Sequence, residues 1–207
     1  MQSVILASTF DDLADTYDHQ HHDTIAQELI SWVTPRKDDT VADVACGAGA
    51  VALQLARSRP DSAPPIIAID VSPGMIAAGK TRASALVPGT AIDWQVGNAL
   101  PLPVADCSLD VVLCTSSLHF LGQQALVDWK RALRPGGRVG FTLPLATHFR
   151  PSEQFSRHFA NDVPLPYTPS EASTWAEENG FIDAISRIHI LGTRRIVMTL
   201  ATRPALK

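Results

Sequence analysis

The sequence predicts an α/β fold whose mostly parallel sheet ends in an antiparallel hairpin. From residue 40 onward, short apolar segments typical of strands alternate with helical segments, which is the pattern of parallel strands joined by helices. Near the C-terminus the pattern changes, because the apolar runs 181–190 and 195–202 are separated only by residues 191–194. That connection is too short for a helical crossover, so these two runs are expected to form a hairpin.

Local signals place the individual elements. Ser72-Pro73 offers a cap followed by proline at the first helical position, and Thr168-Pro169-Ser170-Glu171 is a capping box. Arg134-Pro135-Gly136-Gly137 is read as a turn before the fifth strand. Residues 1–22 are read as a mobile arm or short helix, and Asp23 as a cap. The predicted strands are 40–45, 66–70, 92–96, 109–115 and 137–143, and the predicted helices are 23–34, 49–58, 73–86, 122–133 and 169–179.

Composition narrows the classes of partner and location. The chain has 207 residues, 45% of them apolar, which suits one globular domain. A net charge of −4 without a long basic run argues against nucleic acid and anionic membrane as partners. The spacing of Cys46, Cys107 and Cys114 fits no metal motif. The N-terminus has no signal-peptide pattern and no apolar run approaches ~18 residues, so a cytoplasmic protein without a metal site or membrane contact is expected.

The segment from Val41 to Ala50 is the most informative part of the chain. An apolar run ends in small residues, and a helical pattern follows at once. Such a junction presents backbone N–H groups to a ligand at close range. The residues from Gly47 to Ala52 formally match G-x-G-x-x-A, so a nicotinamide-dependent oxidoreductase stays open as one interpretation.

Two acids indicate a different ligand. Asp43 lies within the first strand, four residues before Gly47, where its charge would repel a pyrophosphate. Asp70 ends the second strand, where a carboxylate can accept hydrogen bonds from both hydroxyls of a ribose. A ribose combined with a cationic end suggests S-adenosylmethionine. In the alternative structural interpretation, Asp43 fastens the turn through backbone hydrogen bonds and Asp70 caps a helix.

Five segments carry motifs that occur together in one enzyme family. Val41–Gly49 is similar to V-L-D-V-G-C-G-T-G, Asp70–Met75 to D-x-S-x-x-M, Gly97–Pro103 to G-D-A-x-x-L-P, Ser108–Val112 to S-F-D-V-V, and Leu133–Gly137 to L-R-P-G-G. In this combination the chain resembles the class I S-adenosylmethionine-dependent methyltransferases, in particular the small-molecule branch similar to those of quinone biosynthesis. The resemblance covers nearly the whole chain.

The resemblance implies a Rossmann-like three-layer sandwich with a seven-stranded sheet, in a single methyltransferase domain over 1–207. Within it, 1–34 would be an N-terminal lid arm and helix, and 35–143 the cofactor-binding half. Residues 144–168 would form a short substrate cap, and 169–207 the final helix and hairpin. The expected partner is a small-molecule methyl acceptor, with a homodimer and a role in secondary metabolism left open.

The resemblance also assigns contacts to S-adenosylmethionine. The backbone of Ala45, Gly47 and Gly49 would line the methionyl group, with Asp43 supporting its ammonium directly or through water. Asp70 would hold the ribose. The remaining implied contacts are Val71 and Met75 around the adenine, Asn98 and Ala99 at its polar edge, and Thr115 near the methionyl group. For Met75 a core-facing helical position is the alternative interpretation.

Two residues are catalytic candidates. His119 follows the fourth strand, and the ordinary pKa range of histidine suits a general base near neutral pH. Tyr17, in a segment similar to the family's N-terminal signature, would cover the methionyl end as part of a lid. The alternatives are a histidine that satisfies loop backbone groups and a surface aromatic on a loose arm.

Besides the nicotinamide-dependent oxidoreductase, three further rival functions stay open at this stage. Ala45 stands where the family usually has glycine and Asn98 where it usually has aspartate, which keeps open a non-methylating enzyme of cyclase or pericyclase type. A catalytically silent partner subunit is a second rival. A thiolate enzyme acting on arsenite is a weak third, because Cys114 is expected to pack as a small apolar residue.

Overall fold

Seven strands form a mixed sheet in the order β3-β2-β1-β4-β5-β7-β6, which confirms the predicted α/β class and its C-terminal hairpin. The computed structural model describes residues 2–11 and 19–205. The chain divides into two compact units, Met1–Ala99 and Leu100–Lys207. Each unit is built around its own strands.

The first unit contains three parallel strands. They are β1 (Val41–Val44), β2 (Ile66–Asp70) and β3 (Ile92–Val96), and its helices are α1 (Gln2–Asp11), α2 (His19–Val33), α3 (Ala50–Ala56) and α4 (Pro73–Leu86). Strand β2 pairs with both β1 and β3. All four residues of β1 are buried, as expected of a central parallel strand covered on both faces. Because the three strands are parallel, the residues that follow them gather at one edge of the sheet.

Helix α1 is the short helix that was one of the two forms expected of residues 1–22. The predicted start of the next helix was wrong, because α2 begins at His19 rather than at residue 23. Asp23 therefore lies inside a helix and does not cap it; its carboxylate binds the guanidinium of Arg82 on α4 instead. The apolar side of α2 packs into the core, since its Ile25, Leu29 and Val33 are buried.

The second unit contains the other four strands. They are β4 (Leu109–Cys114), β5 (Leu133–Pro144), β6 (Ile182–Leu191) and β7 (Arg194–Thr202), and its helices are α5 (Leu118–Leu121), α6 (Gln124–Ala132), α7 (Glu153–Ser156) and α8 (Pro169–Glu178). Strands β4 and β5 are parallel, whereas β7 runs antiparallel to both β5 and β6. Cys114 is fully buried in β4, which confirms its predicted packing.

Two boundaries in this unit differ from the prediction. The helix expected over 122–133 is α6, which begins at Gln124 and ends at Ala132. The short helix α5 before it was not expected from the sequence, and it ends at Gly122, which has a positive φ of 88°. The turn expected at 134–137 lies within β5 as an irregularity, since the register with β4 shifts between Leu109 and Val111. Its backbone there bonds to a C-terminal residue, from Gly136 N to Arg203 O (3.0 Å).

The capping box of α8 is confirmed. The side chain of Thr168 accepts a hydrogen bond from the N–H of Glu171 at 3.3 Å. The Glu171 carboxylate accepts in return from the N–H of Tyr167 at 2.9 Å, one residue before the cap. Together these bonds satisfy backbone donors at the start of the helix and fix where it begins after the loop-rich segment.

Candidate functional site

The turn between β1 and α3 has a backbone that only small residues adopt readily. Ala45, Gly47 and Gly49 have φ values of 52°, 52° and 76°, all in the left-handed region. Gly49 is also packed tightly, because a Cβ atom there would overlap the indole ring of Trp94 on β3. Ala45 adopts the same region with a side chain and is therefore strained. The backbone conformation thus favours glycine at all three positions. At Gly49 the packing against Trp94 also leaves no room for a side chain.

Asp70 at the end of β2 is held by the turn itself. One carboxylate oxygen accepts from the N–H of Gly47 at 2.8 Å and the other from the N–H of Ser72 at 2.9 Å. Only 7% of the residue is exposed, and burial raises its pKa while these backbone bonds oppose the rise. A carboxylate offers about four acceptor positions, so both oxygens can still accept from a ligand.

Asp43 is more deeply buried, with 1% of its surface exposed. Its carboxylate accepts from the N–H of Ala52 in the first turn of α3 at 3.0 Å, which is the fastening contact of the alternative interpretation. Burial, together with the nearby charge of Asp70, raises the pKa of Asp43 to about 7, although the Ala52 bond opposes the rise. Among the described residues no cation pairs with either acid, so the turn is flanked by two coupled carboxylates whose charge is uncompensated.

The residues predicted around an adenine lie at the same edge of the sheet. Val71 lies directly before α4 and Met75 in its first turn, and the cap Ser72 accepts from the N–H of Met75 at 3.0 Å. Met75 is 1% exposed, which agrees with the core-facing alternative as well as with a ligand contact. Asn98 is exposed and Ala99 is buried, and both follow β3. The nine predicted cofactor residues of this unit are therefore brought together after three adjacent strands.

Thr115 and His119 belong to the second unit, at and beyond the end of β4. Thr115 is half-buried, and its carbonyl oxygen accepts from the hydroxyl of Ser117 at 3.1 Å. Between them Ser116 has a positive φ of 60°, and its N–H donates to the hydroxyl of Thr142 on β5 at 2.7 Å. The bend directly after β4 is therefore anchored to the neighbouring strand.

His119 is enclosed by phenylalanine rings. Its ring centroid lies 4.3 Å from that of Phe120, 5.0 Å from Phe159 and 5.7 Å from Phe149. The residue is 5% exposed, and its Nδ1 is buried without a hydrogen-bond partner in the described structure. Burial lowers the pKa of His119 to about 4. The imidazole is thus uncharged at neutral pH, which differs from the ordinary titration range assumed from the sequence.

Other predicted and unpredicted contacts complete the site. Tyr17 lies outside the described residues. The sequence did not indicate Asp11 of α1, whose Oδ1 accepts from the Ser72 hydroxyl at 2.5 Å and from the N–H of Gly74 at 2.8 Å. A contact between positions so far apart in the chain has no local signal. No group of three or more potential metal ligands occurs within 2–11 and 19–205.

Comparison with known proteins identifies part of the chain. Residues 41–137 match the family model described as "Methyltransferase domain". The match covers just under half of the chain. The match begins with β1 and its glycine turn and ends at the irregularity in β5, so it contains every described candidate residue named above except Asp11, Thr142, Phe149 and Phe159.

Two relatives match the chain over longer stretches than the family model does. The chain is 31% identical over 136 residues to the ubiquinone/menaquinone biosynthesis C-methyltransferase UbiE of Dinoroseobacter shibae, covering 65% of this chain and 54% of that protein. It is 27% identical over 199 residues to the 2-phytyl-1,4-naphtoquinone methyltransferase of Synechococcus elongatus, covering 95% and 84%. The chain therefore spans about half the length of the first relative and most of the second.

A solved structure supports the fold. Magnesium protoporphyrin IX methyltransferase from Synechocystis, crystallised with bound SAM, superposes with a TM-score of 0.68 at 15% identity, covering 98% of this chain and 97% of that chain. At this identity the likeness concerns the fold alone. The sequence matches agree with the predicted resemblance to methyltransferases, and the solved structure supports the predicted fold. Within the described part of the chain, no helix is both long and apolar enough to cross a bilayer.

Proposed function

We propose that the protein transfers a methyl group from S-adenosylmethionine to a small organic acceptor of quinone type. The observation that carries the proposal is the pair of coupled, uncompensated carboxylates at the glycine turn. An anionic diphosphate would be repelled there, whereas an ammonium would be attracted and would favour the ionised form of Asp43. The relatives named for ubiquinone, menaquinone and naphthoquinone methylation support the acceptor class.

Different residues of the first unit are assigned to the methionyl group, the ribose and the adenine of the cofactor. Ala45, Gly47 and Gly49 leave the backbone open to the methionyl group, and Asp43 supports its ammonium. Asp70 accepts from the ribose hydroxyls, held in orientation by its two backbone donors. Val71 and Met75 bound the adenine, with Asn98 and Ala99 at its edge. Thr115 of the second unit is assigned to the methionyl group.

The chemistry requires orientation more than activation. When bound, S-adenosylmethionine supplies a methyl group on a positively charged sulfur and leaves as S-adenosylhomocysteine. The protein's part is to hold the acceptor in line and to receive the proton that the acceptor loses. Tyr17, as in the sequence-based prediction, is assigned to covering the reacting end.

The aromatic cluster of the second unit supports an acceptor with a flat, apolar ring. Phe149 and Phe159 stack at a centroid distance of 5.5 Å, and both contact His119. Such faces bind planar rings by stacking, and the buried Nδ1 of His119 gives them one polar atom to orient a hydroxyl group. Because its pKa is about 4, His119 is a weak base, and orientation is its larger proposed contribution.

Turnover is tested with the purified protein, S-adenosylmethionine and a panel of hydroquinones. Formation of S-adenosylhomocysteine together with a methylated product supports the proposal. An altered acceptor with the methyl donor left intact would instead indicate a non-methylating reaction. Calorimetry that detects binding of NAD but not of S-adenosylmethionine would overturn the cofactor assignment.

Two variants test the assigned residues separately. Asp70→Asn should weaken S-adenosylhomocysteine binding by roughly 10–100-fold, because charge-assisted bonds to the ribose are lost. Asp93→Asn is the matched control, since Asp93 is an exposed acid on β3 of the same unit. His119→Ala should lower kcat at least about tenfold and leave cofactor affinity unchanged, whereas His189→Ala, on strand β6 and outside the proposed substrate cap, should change neither. Wild-type affinity in Asp70→Asn would refute the ribose assignment.

A further inference from the structure

Arg82 of α4 holds the glycine turn from outside the proposed cofactor contacts. Its Nη1 donates to the carbonyl oxygen of Ala48 at 3.0 Å. Its Nη2 donates to both carboxylate oxygens of Asp23 on α2, at 2.9 and 2.7 Å. Only 15% of the Arg82 side chain is exposed, so the guanidinium is a partly buried link between the turn, α2 and α4.

Trp94 of β3 holds the same turn by packing. Its six-membered ring fills the space left by two glycines, Gly49 in the turn and Gly79 on α4. A Cβ atom on Gly79 would lie 2.5 Å from Cζ3 and 2.6 Å from Cη2 of this ring, and one on Gly49 would overlap it. The six-membered ring therefore lies directly against both glycines, and the position of Gly49 depends on the position of the ring.

The backbone of the glycine turn needs contacts from other elements to stay ordered. Three of its residues adopt left-handed backbone conformations, and two of those are glycines, which have the greatest conformational freedom to lose. Its own backbone bond runs from Gly49 N to Cys46 O at 2.9 Å, while the Ala48 carbonyl is held by Arg82. A binding loop that is already ordered pays less conformational entropy when the ligand arrives.

We propose that Arg82 and Trp94 are positioning residues that preorganise the glycine turn for the cofactor, with Asp23 fixing the orientation of Arg82. The inference rests on the proposed placement of the cofactor in this turn. Neither residue is assigned a contact with the cofactor itself. On the sequence, Arg82 follows Met75 and Gly79 at the i+7 and i+3 positions, which places it on the inward stripe of α4.

The first test displaces the indole without changing the turn. Gly79→Ala adds one methyl group on a helix, where alanine is intrinsically favoured. The new Cβ would clash with the Trp94 ring and lie in ordinary van der Waals contact, 3.4 Å, with the Ala48 backbone, so a loss of function is attributed to the clash with Trp94. We expect the Kd for S-adenosylhomocysteine, measured by calorimetry, to rise about tenfold. Gly89→Ala is the matched control. Gly89 has a φ of 84° with no atom near its Cβ position, so that variant strains the backbone without touching the ring and should keep the wild-type Kd.

A double variant separates positioning from general damage. Trp94→Phe removes the ring atoms that meet both glycines, so it should also raise the Kd. In Gly79→Ala/Trp94→Phe the two effects should fall clearly short of additive, because both act through the same contact. If Gly79→Ala does not fold by itself, Trp94→Phe still tests the contact, because its smaller ring removes the atoms that meet both glycines.

A second pair of variants tests the arginine. Arg82→Lys keeps the charge but cannot bind Ala48 and Asp23 together through one planar fork, so the Kd should rise severalfold. Arg134→Lys is the control, since Arg134 binds both oxygens of Asp110 in the second unit, and its Kd should stay at the wild-type value.

The outcomes distinguish this proposal from the function on which it rests. Wild-type Kd values in Gly79→Ala, Trp94→Phe and Arg82→Lys would overturn the positioning roles alone. The positioning roles would also be overturned if the melting temperatures of these variants fell while their Kd values matched that of Gly89→Ala. In that case the residues would contribute to stability alone. A wild-type protein that binds no S-adenosylhomocysteine would overturn the proposed function and this proposal with it.

Discussion

Asp43 is a buried carboxylate whose charge no cation compensates within the described part of the chain. Burial raises its pKa to about 7 in the folded protein, against an ordinary value near 4 when the chain is unfolded. The folded state therefore holds this proton where the unfolded state has released it. The contribution of Asp43 to stability is fully present below pH ~4 and is lost as the pH rises through ~7.

Asp43→Asn should remove this pH dependence. The amide keeps an oxygen that can accept from the N–H of Ala52 but does not ionise. Between pH 5 and pH 8 the free energy of unfolding should therefore fall by roughly 3 kcal/mol more in the wild type than in the variant. Urea unfolding of both proteins at several pH values measures the difference. Parallel curves over this range would show that Asp43 does not titrate there.

The same carboxylate should make cofactor binding depend on pH. If the ammonium of the cofactor requires ionised Asp43, the Kd should fall as the pH rises towards ~7 and then level off. Asp43→Asn should bind more weakly and lose this dependence. A wild-type Kd in that variant would leave Asp43 with only its fastening contact to α3.

Ala45 adopts a backbone conformation that is unfavourable for an alanine. Its φ of 52° costs an alanine about 1–2 kcal/mol. Ala45→Gly removes that strain but adds freedom to the unfolded chain worth about 0.4–1 kcal/mol. We expect a net gain of up to about 1 kcal/mol in the free energy of unfolding, measured in urea. A loss of stability would mean that contacts of the Ala45 methyl group outweigh the strain.

At the scale of elements, the start of α4 is where local sequence and distant structure meet. Ser72 accepts from the N–H of Met75 and donates to Asp11 of α1, so one hydroxyl both begins α4 and binds another helix. The first bond was predictable from Ser72-Pro73 because capping depends on neighbours in the chain. The second was not, because no periodicity or turn signal connects two residues 61 positions apart.

Ser72→Ala should therefore destabilise the protein by about 1–2 kcal/mol. The matched control is Ser84→Ala on the same helix, where the exposed hydroxyl only donates to the carbonyl of Lys80. Its effect should stay within about 0.5 kcal/mol. Urea unfolding compares the two. Equal losses would show that neither the cap nor the bond to Asp11 contributes measurably.

The elements that the sequence located well are those with signals of their own. The strand over 92–96 and the helix over 73–86 match their predicted ranges because apolar pattern, proline and cap agree there. The exact bounds of α1, the start of α2 and the start of the long strand β5 were not predicted. Helix α1 packs against α4, and the start of β5 is paired with residues near the C-terminus, so partners distant in sequence decide both.

At the scale of the whole molecule, ligand binding should stabilise the fold. A ligand that binds only the folded state at 100 times its Kd adds about 2.7 kcal/mol, which corresponds to roughly 5–10 °C for a chain of this size. Thermal unfolding with S-adenosylhomocysteine should show this rise in the wild type. Asp70→Asn, with a Kd roughly 10–100-fold higher, should gain only about 0.4–1.4 kcal/mol at the same concentration. An equal rise in both would place the ligand away from Asp70.

The sequence by itself determined the order of strands and helices, the terminal hairpin, the glycine turn and the two acids beside it. These features depend on residues close together in the chain, or on motifs whose spacing fixes their place in the fold. Only the tertiary structure decided the ionisation of Asp43 and His119, the tight packing of Trp94 between two glycines and the link from Arg82 to the turn. Burial, shape and charge coupling arise between segments that meet only when the chain is folded, so no reading of neighbouring residues contains them.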